Sequence, residues 1–248
     1  MCIRDSSCIN DSVSSHRGPD LPYTVVAGVT PFNDKWLVAS AKMAGSTFAP
    51  EPPKAYDSFL EVLSERPSFA VVVVNVPIGF LDTPEMGPRT CDRQARALLR
   101  RRGTAVHNAP SRAVFDGRVE PDKDGLDAVT RTMLPRYREV AAEISPYRQR
   151  VVYEGHPELS FYQLQKDTPL KRSKVITEGK EERRIALEAR IRGSERYLDA
   201  KAYGVPQKHL YDSFALLWTA RRVFGHAAIR IPVEPEWDGE GIRMEIVY

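Results

Sequence analysis

The stretch VVVVNVPIGF, Val71–Phe80, constrains the fold of this chain more than any other. With Phe69 and Ala70 before it, the run is apolar without a break as far as Val74. A strand of that composition is buried on both faces, which places it centrally in a parallel array with helices covering each side. The run ends in one polar residue, Asn75, and a Pro-Ile-Gly exit. Strands of open α/β sheets deliver functional side chains at their carboxyl ends, where the loops open into a crevice. Asn75 is therefore the first candidate for chemistry.

The segments around it predict an α/β layout. YTVVAGVT (Tyr23–Thr30) and WLVASAKM (Trp36–Met43) flank the turn residues PFNDK and predict an opening antiparallel hairpin, followed by a short strand near Ser46–Ala49. Ala55–Ser64 carries a short helical pattern. From about 82 to 149 the chain is helical and charged, with helices over Thr90–Arg102 and from Gly125 to Ile144, and this reads as a helical insertion. Val151–Glu154 is another strand. Further helices are expected over Leu159–Leu164, from Glu178, and over Pro206–Phe224, where Pro206 suits the first turn. GIRMEIVY supplies a last strand, and the chain shows no internal repeat.

At 248 residues and 42 % apolar, the sequence supports one domain with a sizeable core and an insertion, over residues 21–248. No apolar run approaches the roughly 20 residues of a membrane span. A net charge of +3 permits an anionic partner without requiring one. Cys2, Cys8 and Cys91 form no metal-ligand spacing, so neither a zinc site nor a disulfide framework is expected, and a reducing cytoplasm is the default compartment. Residues 1–20 lack the apolar core of a secretory signal and read as a disordered or artefactual leader.

The polar residues at strand ends are Thr30, Asn75 and Glu154, the last followed by His156 and Glu158, and Asp212 lies near the start of the late helix. A two-metal nuclease needs several carboxylates at one point, holding ions about 4 Å apart. Here two are evident, Glu154 and Asp212. A second feature is RTCDRQARALLRRR. Arg89, Arg93, Arg96 and Arg100 are spaced 4, 3 and 4, which on a helix makes one stripe. Residues 89–102 hold six Arg and one Asp, a local charge of +5 suited to phosphate. Lys174 is a further phosphate candidate and His156 a candidate proton carrier. Each has a plain alternative: a solvated helix face for the arginines, a turn cap for Asn75, a backbone hydrogen bond for His156, a helix cap for Glu158, and packing for Cys91, Phe214 and Trp218.

Seven stretches, in order, resemble one family: VAGVTPFNDKWLVA, VVNVPIGF, RTCDRQARALL, VVYEGHPELSF, PLKRSKVITEGKEERRIAL, LYDSFALLWTARR and GIRMEIVY. They are similar to the domain of unknown function 429 family, described as predicted RNase H-like nucleases, and cover nearly all of the chain from Val25 to Tyr248. The resemblance implies an RNase H-like mixed sheet with helices on both faces. It also implies acidic residues closing the first strand, before Pro-Ile-Gly, before His-Pro-Glu, and on the late helix. Glu154 and Asp212 match the last two; Thr30 and Asn75 depart from the first two. Each close charge pair lost opposite a metal is worth on the order of 1–4 kcal/mol, so metal affinity should fall steeply. Asp34 and Asp82 are nearby acids outside the family positions.

The leading functional expectation is a metal-dependent phosphodiesterase acting on nucleic acid, with Mg2+ or Mn2+ on Glu154 and Asp212 and the Arg helix positioning phosphate. One rival is a nucleic-acid or nucleotide-binding module that has lost its metal cluster. Another is a non-nucleolytic enzyme in which Asn75 hydrogen-bonds a small substrate.

Overall fold

Asn33 and Asp34 close the opening hairpin. Strands β1 (Thr24–Phe32) and β2 (Lys35–Ala44) pair antiparallel with Phe32 opposite Lys35. Asn33 takes φ 49°, the left-handed backbone that a two-residue hairpin turn requires and that Asn tolerates. The computed structural model describes residues 22–248, so the leader with Cys2 and Cys8 lies outside the described residues. Strand β3 (Thr47–Pro50) adds antiparallel to β2, and β4 (Lys54–Tyr56) pairs along another part of it. Ala55 and Tyr56, read above as helical, are therefore strand. Helix α1 (Phe59–Ser64) begins only after Ser58, whose side chain accepts the Glu61 N–H.

The valine run is β5 (Phe69–Val74), parallel both to β1 and to β6 (Val152–Glu154), and the sheet order is β3-β2-β1-β5-β6. Val71–Val74 are at most 5 % exposed, as a central strand covered on both faces requires. Three antiparallel strands continued by two parallel ones, with β4 also paired to β2, make this a six-stranded mixed α/β sheet.

Between β5 and β6 run helices α2 (Thr90–Leu99), α3 (Arg112–Phe115) and α4 (Ala128–Glu143). After β6 come α5 (Pro157–Leu164), α6 (Thr177–Arg190) and α7 (Gln207–Phe224). Strands β7 (Arg230–Trp237) and β8 (Arg243–Val247) then form an antiparallel ribbon, and Gly155 bridges in parallel to Val247. Pro232 and Pro235 hide β7 in the sequence; its pairing skips register between Ile231 and Glu236, where they sit.

Alternation along the strands feeds two cores. Val26, Val71 and Val73 pack against Phe161 of α5, Leu187 of α6 and Phe214 and Leu217 of α7. Ala27, Val29, Val72 and Val74 face α1 and α4 through Phe59, Leu134, Tyr137 and Val140. Helix α7 sits so close to β1 that a Cβ on Gly28 would lie 2.1 Å from Leu217 N and 2.3 Å from Ser213 O. Gly28 thus lets Asp212, beside Ser213, approach the carboxyl end of β1. No helix among the described residues is long and apolar enough to cross a membrane.

Candidate functional site

Strand register assembles the site. Val29 lies beside Val74, and Val74 beside Glu154, so Thr30, Asn75 and Glu154 leave the sheet at one edge. Asn75 N–H donates to Val29 O at 2.9 Å, and its Nδ2 lies 3.5 Å from Thr30 Oγ1. A cavity of about 280 Å³ opens at this edge, lined by Asn75, Arg89, Glu154, His156, Lys174 and Asp212 among others. Thr30 is fully buried and is not one of the lining residues.

Glu154 is committed to an internal ion-pair network. Arg89 Nη1 and Nη2 donate to its two oxygens at 2.8 and 2.6 Å, and Ile78 N–H donates to Oε2 at 2.6 Å. Arg89 also donates to both oxygens of Asp92, at 3.0 and 2.8 Å, and to the carbonyls of Ile78 and Gly79. Every N–H of the guanidinium has an acceptor. Arg89 is 2 % exposed, Asp92 2 % and Glu154 6 %. Burial pushes the Glu154 carboxyl up, to about 7, against the guanidinium and the Ile78 N–H. With three donors on two oxygens, the ionised form is the one this geometry accommodates.

Asp212 has a lighter shell. Its Oδ2 accepts from Lys174 Nζ at 2.6 Å, whereas Oδ1 is buried with no hydrogen-bond partner. Lys174 comes from the loop between α5 and α6 and is 30 % exposed.

The arginines divide. Arg89 is the N-cap residue of α2, with φ −56° and ψ 149°, so it does not follow the helical stripe and turns inward. Arg93 bonds Pro88 O and Thr90 Oγ1, and Arg96 bonds Val106 O and Asn108 Oδ1. Arg100 ends the helix at φ 52° and is exposed. Arg93, Arg96 and Arg100 do not line the cavity, and neither do Asp34 and Asp82. Cys91 packs with Ala95, Leu99 and Ile246.

His156 lines the cavity with both ring nitrogens engaged, Nε2 at 3.2 Å from Ala105 O and Nδ1 accepting Glu158 N–H. Burial lowers its pKa. Glu158 is held by Arg102 and Arg183, tying α5 to α6 and to the turn after α2. Burial pushes its carboxyl up, and the two guanidinium groups outweigh that and hold it below the ordinary range.

Among the lining residues that the sequence reading did not single out are His107, Tyr137, Lys208 and His209. His209 lies three residues before Asp212 on an evident helix, a spacing that places both on one side. His107 lies in a loop and had no local signal.

The donor set does not fit the expected metal pair. Among the described residues no group of three or more His, Cys, Asp or Glu is arranged to hold an ion. Glu154 has no oxygen free of a donor, and Asp212 offers Oδ1 alone.

Among solved structures the chain is similar to Thermus thermophilus RuvC, at 12 % identity and a TM-score of 0.35, covering 82 % of this chain and 98 % of that one. A search of curated proteins finds no match. The model of the family described as protein of unknown function (DUF429) matches residues 28–237. The strand-end motifs that carry the site fall inside that span, and the chain belongs to the DUF429 family.

Proposed function

We propose that the chain binds nucleic acid or a nucleotide in this cavity, without a two-metal centre. The observation that carries the reading is the closure of Glu154 by Arg89, which removes the carboxylate a metal pair would need and leaves lysines as the available charges. Lys174 gives one of its three donors to Asp212, and Lys208 is exposed at the cavity wall, so both can meet phosphate. Val129, Met133 and Tyr137 provide an apolar wall for a base or sugar, and the volume of about 280 Å³ suits one nucleotide unit.

Fluorescence anisotropy with labelled single- and double-stranded RNA and DNA tests this. Binding should weaken as salt rises, and Lys174→Ala with Lys208→Ala should weaken it at least about tenfold. Absence of binding at low salt would sink the reading.

One observation favours a second reading, a metal-dependent phosphodiesterase: the unpartnered, buried Oδ1 of Asp212. It predicts cleavage with Mg2+ or Mn2+ that Asp212→Asn abolishes. Cleavage gained only in the Thr30→Asp, Asn75→Asp double variant would instead mark a dismantled metal site.

A further inference from the structure

Three of the chain's five histidines, His107, His156 and His209, line the one cavity. His156 is spent on backbone contacts. The other two are differently placed. His107 Nδ1 lies 2.7 Å from Asp127 Oδ2, and Asp127 is itself fixed as the N-cap of α4 by the Thr130 N–H at 2.8 Å. A proton held on Nδ1 by Asp127 leaves Nε2, on the other side of the ring, for the cavity. Arg96 steadies the same loop through Val106 O and Asn108 Oδ1. His209 stands in the first turn of α7, with its ring 6.3 Å from that of Phe32, and no hydrogen bond from the described residues engages its ring nitrogens.

These histidines come from different segments, one beyond α2 and one on α7, and the lysines proposed above line the same cavity. Without a metal ion to generate hydroxide, water is a poor nucleophile towards a phosphodiester. RNA carries its own nucleophile, the 2′-hydroxyl next to each phosphate, and DNA does not.

We infer that this cavity cleaves RNA by metal-independent transesterification, with His209 as general base and His107 as general acid. The inference rests on the nucleic-acid-binding reading and names its substrate. His209 takes the proton of the 2′-hydroxyl while that oxygen bonds to phosphorus. The P–O5′ bond breaks, its electron pair goes to O5′, and O5′ takes a proton from the His107 imidazolium, which Asp127 pairs. The products are a 2′,3′-cyclic phosphate and a free 5′-hydroxyl, and solvent returns the proton from His209 to His107. Lys174 and Lys208 balance the charge of the phosphate. Burial lowers the pKa of His209 to about 4, which keeps it unprotonated at neutral pH. The charged groups acting on it are Asp212, Lys208 and Lys174, and the phosphate of a bound strand would act against the lowering.

The test uses the full chain in excess EDTA, with a labelled RNA 12-mer, the same sequence as DNA, and the RNA carrying 2′-O-methyl groups. Cleavage of the unmodified RNA alone, with cyclic phosphate ends by mass spectrometry, is expected. His107→Gln and His209→Gln should each lower the rate about 100-fold or more, while anisotropy shows RNA binding within about threefold. The rate profile should be bell-shaped in pH, losing its alkaline limb in His107→Gln and its acid limb in His209→Gln. RNA binding without cleavage, or cleavage that survives in both variants, would overturn the inference and leave the binding reading intact. Loss of cleavage in EDTA with recovery in Mg2+ would also overturn it. No RNA binding would overturn both.

Discussion

Glu154 and Asp212 line one cavity and are the two carboxylates the sequence offered as candidates, yet they are built in opposite ways. Glu154 receives a guanidinium fork and a backbone N–H, and Asp92 fixes that guanidinium in turn. Asp212 has one charged donor, from a partly exposed loop, and one oxygen with no donor. The first acid is a brace between β6 and the start of α2. The second lines the cavity with one oxygen that no group among the described residues engages. A carboxylate at this edge of the sheet thus marks a site only once its partners are known, because the same group serves as cross-link or as contact.

The largest difference between the two acids is expected at Arg89. Arg89→Met should cost about 3–5 kcal/mol of stability, since it leaves Glu154 and Asp92 buried without their cation. Arg89→Lys should recover little of this, because an ammonium cannot give forked bonds to two carboxylates. Urea unfolding measures both, and a loss below about 1 kcal/mol would mean the network is not a brace.

The cavity histidines give the next effect. His209 is pushed from 6.5 to about 4 by burial, so protons favour the unfolded chain. Its contribution is complete above pH 6.5 and declines as pH falls towards about 4. At roughly 1.4 kcal/mol per pH unit this is at most about 3 kcal/mol. His156, also lowered by burial, acts in the same direction. Unfolding free energies between pH 7.5 and 4 should show the decline, and His209→Gln should flatten it; an unchanged slope would place the acid sensitivity elsewhere.

Asp212→Asn should be mild. The amide keeps an acceptor for Lys174 and removes a buried charge, so stability should move by no more than about 1 kcal/mol. A loss near that of Arg89→Met would erase the contrast between the two acids. Smallest of all should be Arg93→Ala and Arg100→Ala, on exposed residues outside the cavity. Nucleic-acid affinity should change less than about twofold, against at least about tenfold for the lysine pair. A larger effect than that of the lysines would move the interface onto α2.

The layout was legible in the residues. The unbroken valine run reads as a covered central strand and the β-branched segments around Asn33-Asp34 as a hairpin, and both are found. The uncharged character of Thr30 and Asn75 was equally plain. The arginine stripe was not, because the 3.6-residue period applies only inside the helix. Arg89 precedes α2 with extended backbone and Arg100 leaves it at positive φ, so only Arg93 and Arg96 follow the stripe. β7 was hidden by its prolines, and β4 by an apolar pattern that α1 takes up three residues later.

What the chain determined by itself was therefore local: which segments form strands or helices, which faces they bury, and which strand ends lack a carboxylate. Tertiary structure alone decided how the charges are spent. Arg89 and Glu154 are 65 residues apart and His107 and Asp127 are 20 apart, so no periodicity relates either pair. Backbone preference acts between neighbours along the chain, whereas a buried charge is governed by whatever lies within a few ångströms of it in space.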